Sequence, residues 1–497
     1  MAFPIGVTLV DMLRRWAKST PDKIAAVDDC SSLTFAQWND LSDKLAAKLI
    51  LSGVQPNTFI GVLFERKLDY LIAAMAVFKC AAAIVPFDEH LPIQRMEYML
   101  GVSQAPLLIT HSQILNQKRQ EGEFKTPPVF CIDQQSWRNI PVAYLPNVTP
   151  ENYSHMIFTS GSTGVPKGVY ATHRQLTSAI QMFNYVCRFQ QTDEILANAS
   201  FCFVAGLDVF FPLGVGATVH IMPYFLRKDL TRLTGYLSEK RISGGLFPGL
   251  LGPDLARQYK LPLRFMALAG LRAESLPDIS TSLINMFGCT ETTTLAVTHD
   301  FLFQRDKDNI PIGKPSPNTW VYLVNEPGNL VQPGEKGELW VAGTQVACGY
   351  YNQPELTAKK FIRNPFATCT ENQIAFITGD ICRLNSNGFI EYCGRRDLQV
   401  KVRGCRIELE GVEAIFYKFP GITAAVCSVK KVNSTEQIIG YYTAQSAIDK
   451  IALRKFLRSF LPGYMVPKIL IQLSSMPLTA TGKIDRQYLP EPEIFEL

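Results

Sequence analysis

Between Phe158 and Val169 the chain reads Phe-Thr-Ser-Gly-Ser-Thr-Gly-Val-Pro-Lys-Gly-Val, a run of hydroxyls and glycines with one lysine, set between apolar segments. These residue types handle phosphate. Gly161, Gly164 and Gly168 let backbone N–H groups turn toward an anion with no Cβ in the way, Ser160, Ser162 and Thr163 add hydroxyl donors, and Lys167 brings a positive charge. The P-loop of nucleotide hydrolases is excluded, because that loop has glycine before its lysine and Ser or Thr after it, and here the neighbours are Pro166 and Gly168. Taken alone, the same wording also fits a flexible Ser/Gly turn between two elements.

Four further blocks follow in order: Asn285 to Thr293 around Thr290-Glu291, Thr378-Gly379-Asp380, the basic stretch Gly394 to Glu408, and Pro477 to Arg486 around Lys483. Together with the glycine loop they resemble the motifs of the adenylate-forming enzymes, and most of all the adenylation domains of nonribosomal peptide synthetases. The resemblance runs from about Leu33 to Arg486. It implies ATP and Mg²⁺ as cofactors, with Thr159, Ser160, Gly161, Ser162, Thr163, Gly164 and Lys167 around the phosphates. Glu291 is then the metal ligand, suited to a hard cation that bridges phosphate oxygens, and Thr290 meets the α-phosphate. Phe287, in place of the usual tyrosine, stacks on adenine. Asp380 accepts both ribose hydroxyls, as a carboxylate can, with Arg395 nearby. Asp397 is implied as a hinge. Lys483 bridges the substrate carboxylate and ATP, where a cation relieves repulsion between two anions.

The same resemblance places a substrate pocket at Phe203, Val204, Ala205, Asp208, Leu246, Ala267, Ala269, Met286, Thr294 and Leu295, with Phe203 bordering the substrate carboxylate. In domains for α-amino acids an aspartate stands where this chain has Val204, and it pairs with the ammonium. Valine cannot do so, and a buried ammonium without an anion would lose several kcal/mol. The substrate then lacks an α-amino group, as an aryl, α-keto or α-hydroxy acid does, or else its amine is held elsewhere. Asp208 is the candidate for that second case. On an α-helix it lies one turn beyond Val204 on the same face, placed for a β-amino acid. Asp208 equally suits a structural cap or salt bridge.

The implied reaction joins a small carboxylic acid to AMP and passes the acyl group to the phosphopantetheine thiol of a carrier protein. The phrase Leu461 to Pro467 and the terminal lysine block favour a carrier over free CoA, which an acyl-CoA ligase would use. Because the chain ends soon after Lys483, no fused carrier is expected, and the domain is either freestanding or excised. A catalytically dead nucleotide-binding scaffold is the reading from another class, since several motif positions have drifted; Lys167, Glu291, Asp380 and Lys483 argue against it.

The elements that must position these groups read as α/β. Residues 33–53 carry an amphipathic helix pattern, 59–63 and 82–86 read as buried strands, and 71–79 as the helix between them, which is a βαβ alternation. Thr172 and Gln175 form a capping-box pattern after the glycine loop. The expected layout is a large multi-subdomain core, residues 1–396, with βαβ units, and a small mobile α+β lid, residues 397–497.

Over the 497 residues, 47% are hydrophobic and 19% charged, as in a globular chain, and a net charge of +5 excludes a dedicated nucleic-acid binder. Twelve cysteines scattered without a Cys-x-x-Cys pair read as buried apolar residues of a reducing, cytoplasmic compartment. No secretory signal is evident at Met1 to Val10, and Lys79 and Pro86 interrupt the most apolar window, so no membrane partner is expected.

Overall fold

The computed structural model describes residues 6–142, 144–161, 164–248, 255, 263–269, 281–301, 310–397, 399–402, 405–432, 435–478 and 484–492. The expected helix of residues 33–53 spans Phe35–Leu51, and its Thr34 cap and Gln37 close a reciprocal capping box. Strands Phe59–Leu63 and Ala83–Phe87 pair in parallel across helix Leu68–Lys79, a βαβ unit. That helix is apolar nearly all round and buried nearly all round, as the physics requires. Lys79, the charge in the apolar window, is fully buried with Nζ donating to Asp43 Oδ1 at 2.6 Å and to Asn39 O at 2.9 Å.

Two large sheets result. In a seven-stranded sheet, Tyr153–Thr159 lies parallel to Ala83–Phe87 and turns back antiparallel through the glycine loop into Lys167–Thr172. A nine-stranded sheet contains six strands in a parallel run: Ile24–Val27, Thr218–Ile221, Glu194–Ala197, Gly244–Pro248, Phe265–Ala269 and Ser282–Phe287. One apolar cluster joins Ile60 and Ile84 of the first sheet to Ile195 and Ala267 of the second through helix residues such as Leu71 and Leu176. A five-stranded antiparallel sheet includes Ile374–Leu384 and Ile390–Arg395.

Beyond it stand a hairpin, Gln399–Val402 with Cys405–Glu408, and a three-stranded sheet, Ile422–Val432, Thr435–Ala444 and Ile469–Gln472, with helices Leu409–Phe416 and Lys450–Phe460. Among the described residues, no apolar cluster mixes side chains up to Ile390 with side chains from Val400 onward. Among them, too, no helix is long and apolar enough to cross a membrane, and the twelve cysteines are unpaired.

Candidate active site

The carboxyl ends of parallel strands bring the motif residues together, the usual place for ligands in open α/β sheets. Ser160 follows Tyr153–Thr159, Thr290 and Glu291 follow Ser282–Phe287, and the segment from Asn198 to Asp208 follows Glu194–Ala197. Ser162, Thr163 and Lys483 lie outside the described residues.

Glu291 sits on a short 3-10 turn, Thr290–Thr292, and is fully buried. Both its oxygens are engaged. Arg406 Nη1 donates to Oε2 at 2.6 Å and Tyr350 Oη donates to Oε1 at 2.8 Å. Burial pushes the carboxyl up, but Arg406, the Tyr350 hydroxyl and Lys167 outweigh it, so Glu291 is held below the usual carboxylate range. Lys167 begins its strand in register with Thr159 and places Nζ 5.4 Å from the centre of the Tyr350 ring. Burial lowers its pKa, against the pull of Glu408 and Glu291.

The glycine loop is covered by the hairpin and the helix that follows it. Ser160 Oγ donates to Arg406 O at 3.3 Å and accepts from Glu408 N at 3.2 Å. Gly161 has no room for a side chain, since a Cβ there would stand 2.1 Å from Val165 O. Gly164 has φ +77°, and a Cβ there would stand 2.9 Å from Gly411 O of the lid helix. Gly164→Ala is therefore expected to cost about 1–2 kcal/mol in backbone strain and to loosen the docked lid as well. Faster protease cleavage at the junction between core and lid would report the loosening; unchanged cleavage would show that the contact does not hold the lid.

On the neighbouring sheet, Asp380 Oδ1 accepts from Arg395 Nη1 at 2.7 Å. The same guanidinium grips Asp397 through Nε to Oδ1 at 2.6 Å and Nη2 to Oδ2 at 2.8 Å. Burial would raise Asp397, but Arg395 lowers it further. The proposed ribose carboxylate and the proposed hinge are thus tied to one arginine. Phe287, at its strand's end, lies 6.4 Å from Tyr392, ring centre to ring centre.

The pocket residues also converge. Leu246 pairs with Ala267, and Ala269 with Met286, across parallel strands. Residues two apart on a strand share a face, so these four line one face of the nine-stranded sheet. All four, with Val204, Ala205 and Leu295, belong to or pack on a single apolar cluster. Thr294 has φ +89° and a buried Oγ1 without a hydrogen-bond partner. Phe203 faces the lid, 5.3 Å from the ring centre of Tyr464.

Asp208 departs from its expected geometry. Residues Val204–Gly214 form a 3-10 helix, not an α-helix, so three residues make a turn and Asp208 aligns with Ala205 instead of Val204. Its Oδ2 accepts from Asn198 N at 3.2 Å, while Oδ1 is buried without a partner. Burial pushes its pKa up to about 7, against Arg66 and the backbone donors of Ala199 and Asn198.

Two site residues escaped sequence reasoning in their roles, Tyr350 and Arg406. Arg406 stands in the basic block Gly394 to Glu408, where a guanidinium was the only signal, and Tyr350 lies outside the blocks tied to nucleotide binding.

A tight loop with no room for a side chain at Gly161, and a buried anionic carboxylate already matched by a cation, at Glu291, fit a polyphosphate and a divalent ion respectively. The model of a family described as AMP-binding enzyme matches residues 13–351. Tyrocidine synthase 2 of Brevibacillus parabrevis is 34% identical over 496 residues, which cover 98% of this chain and 14% of that synthase. NpsA-ThdA, an artificially fused adenylation–PCP di-domain from Klebsiella oxytoca, has a TM-score of 0.84 at 22% identity, covering 96% of this chain and 95% of that one. The o-succinylbenzoate CoA synthetase of Bacillus subtilis has a TM-score of 0.84 at 19% identity, covering 97% and 98%. Among the first curated relatives that it matches, the chain spans from 8% to 45% of their length.

Proposed function

Because the chain belongs to the AMP-binding enzymes, which are adenylate-forming ligases, we propose that it condenses a carboxylic acid lacking an α-amino group with ATP and passes the acyl group to a carrier-protein phosphopantetheine. The observation that carries this reading is the convergence of the phosphate loop, Glu291 and the lid hairpin on one spot. Lys167 and the loop donors would hold the polyphosphate, Phe287 the adenine, and Asp380 the ribose, oriented by Arg395. Mg²⁺, held by Glu291, would supply neutralisation of phosphate charge. Lys483 would steady the attacking carboxylate against the α-phosphate, releasing pyrophosphate. Division into a core of residues 1–396 and a lid of 397–497 is supported by their separate apolar clusters.

The substrate reading rests on surroundings. Val204 and the small or apolar side chains around it offer an ammonium no partner. Asp208 is flanked by the cations Arg66 and Arg227, which disfavour a third positive charge. Its free Oδ1 is the one observation favouring a β-amino acid instead. Transfer to a carrier is favoured by the Leu461 to Pro467 phrase, whose Tyr464 packs on Phe203. The likeness to a CoA synthetase shows the fold alone.

Pyrophosphate–ATP exchange against matched α-amino, β-amino, α-keto, α-hydroxy and aryl acids tests the proposal. An amine-free acid should support exchange, and Asp208→Ala should leave its selectivity over amino acids unchanged. Exchange with a β-amino acid that disappears in Asp208→Ala would move the amine to Asp208. No exchange with any acid would revive a scaffold role. Acyl transfer to CoA but not to a carrier would replace the acceptor.

A further inference from the structure

The lid hairpin grips two nucleotide-handling groups at once. Arg406 supplies its guanidinium to Glu291 Oε2 at 2.6 Å and its carbonyl to the Ser160 hydroxyl, while Glu408 N closes on the same hydroxyl. A divalent ion bound through Oε2 would stand about 2.1 Å from that oxygen. Two cations cannot share one carboxylate oxygen at such distances without strong repulsion, and Tyr350 already takes the other oxygen. We infer that Arg406 is a built-in substitute for the metal: Glu291 holds either the divalent ion or Arg406, so metal binding and this lid position exclude each other. The inference rests on the proposed metal role of Glu291.

A consequence concerns the order of events. With metal and polyphosphate in place, Arg406 must withdraw and Ser160 is freed for the phosphates. Once they leave, Arg406 returns, and the buried carboxylate is not left without a counter-charge. Arg406 is thus a positioning residue, acting on the lid through Glu291. Linkage requires the effect to run both ways: whatever Arg406 takes from metal affinity, the metal takes from lid docking by the same factor.

Mn²⁺ titration followed by electron paramagnetic resonance tests this on the full chain, with and without a non-hydrolysable ATP analogue. A fluorescence pair on core and lid reads lid position in the same samples. Arg406→Ala should tighten Mn²⁺ binding by about tenfold or more and undock the lid without metal. Arg406→Lys, which keeps a cation, should fall between it and the wild type, and it serves if the alanine variant does not fold. In the wild type Mn²⁺ should shift the lid signal, and in Glu291→Gln it should not. If both arginine variants bind Mn²⁺ no more tightly than the wild type, while Glu291→Gln loses it, the exchange is refuted and the metal role of Glu291 stands. If Glu291→Gln binds Mn²⁺ as tightly as the wild type with the analogue present, that role falls and the exchange falls with it.

Discussion

Replacing Lys483 with alanine is expected to slow adenylate formation by about two to three orders of magnitude, the usual effect of removing one group aimed at developing charge. The loss should be selective. Thioester formation from a supplied acyl-adenylate should change little, because in the lid position described here the cation delivered to the core site is Arg406, from the hairpin. The segments flanking Lys483 belong to the lid: Leu478 bridges Ile484, which packs against Val426 and Tyr441, and Arg486 pairs with Glu413 at 2.8 Å. The segments on either side of the terminal lysine and the hairpin arginine are thus carried on one body. A lid that presents one of them at a time would serve two half-reactions in turn. Pyrophosphate–ATP exchange and single-turnover transfer from synthetic adenylate separate the two steps. Equal losses in both would show that Lys483 acts on the fold or on both steps, and the division of labour would fail.

Much of this arrangement was legible because local chemistry and local structure agree. The glycine loop, the Thr172 capping box and the alternation of buried strands with a buried helix are written in neighbouring residues. The structure repeats them with boundaries moved by a few positions: Phe35–Leu51 for a helix expected within 33–53, and Leu68–Lys79 for one expected at 71–79. What sequence could not supply was pairing across distance. Arg406 stands in a basic stretch that, read alone, is a solvated surface, and its partner Glu291 is 115 residues away. Tyr350 reaches the same carboxylate across 59 residues. The helical form at Val204–Gly214 was hidden for another reason. Gly206 lies so close to Ser200 that a Cβ would come within 2.3 Å of its carbonyl oxygen, and Pro212 cannot donate a backbone hydrogen bond. Packing therefore selects the tighter helix, and the face expected for Asp208 rotates away from Val204.

Acidification is expected to destabilise the core through two histidines at the end of the Tyr153–Thr159 and Lys167–Thr172 hairpin that is remote from the phosphate loop. His155 lies on the strand that leads into the loop and His173 begins the helix that follows it; both are buried. Burial first, and then the neighbouring His173, lower His155 to about 3; burial lowers His173 to about 4, against a weak pull from Asp11. Neither ring nitrogen of His173 has a hydrogen-bond partner, and its ring meets Phe78 edge-on at 5.2 Å. Above pH 6.5 or so, both residues are neutral folded or unfolded, and their full contribution is present. As pH falls, the unfolded chain takes up protons that the fold refuses until the depressed values are reached, so stability drains away from about pH 6.5 down through 4 and 3. His173 alone should account for about 3 kcal/mol of that loss at one pKa unit per 1.36 kcal/mol. His173→Leu should therefore flatten the fall between neutral pH and pH 4 by about that amount, with little penalty at neutral pH, because no hydrogen bond is given up. All five tryptophans precede residue 397, so urea unfolding followed by their fluorescence reads the core and not the lid. A variant whose stability falls with pH as steeply as the wild type would mean that His173 is protonated inside the fold, in contact with water that reaches the start of its helix.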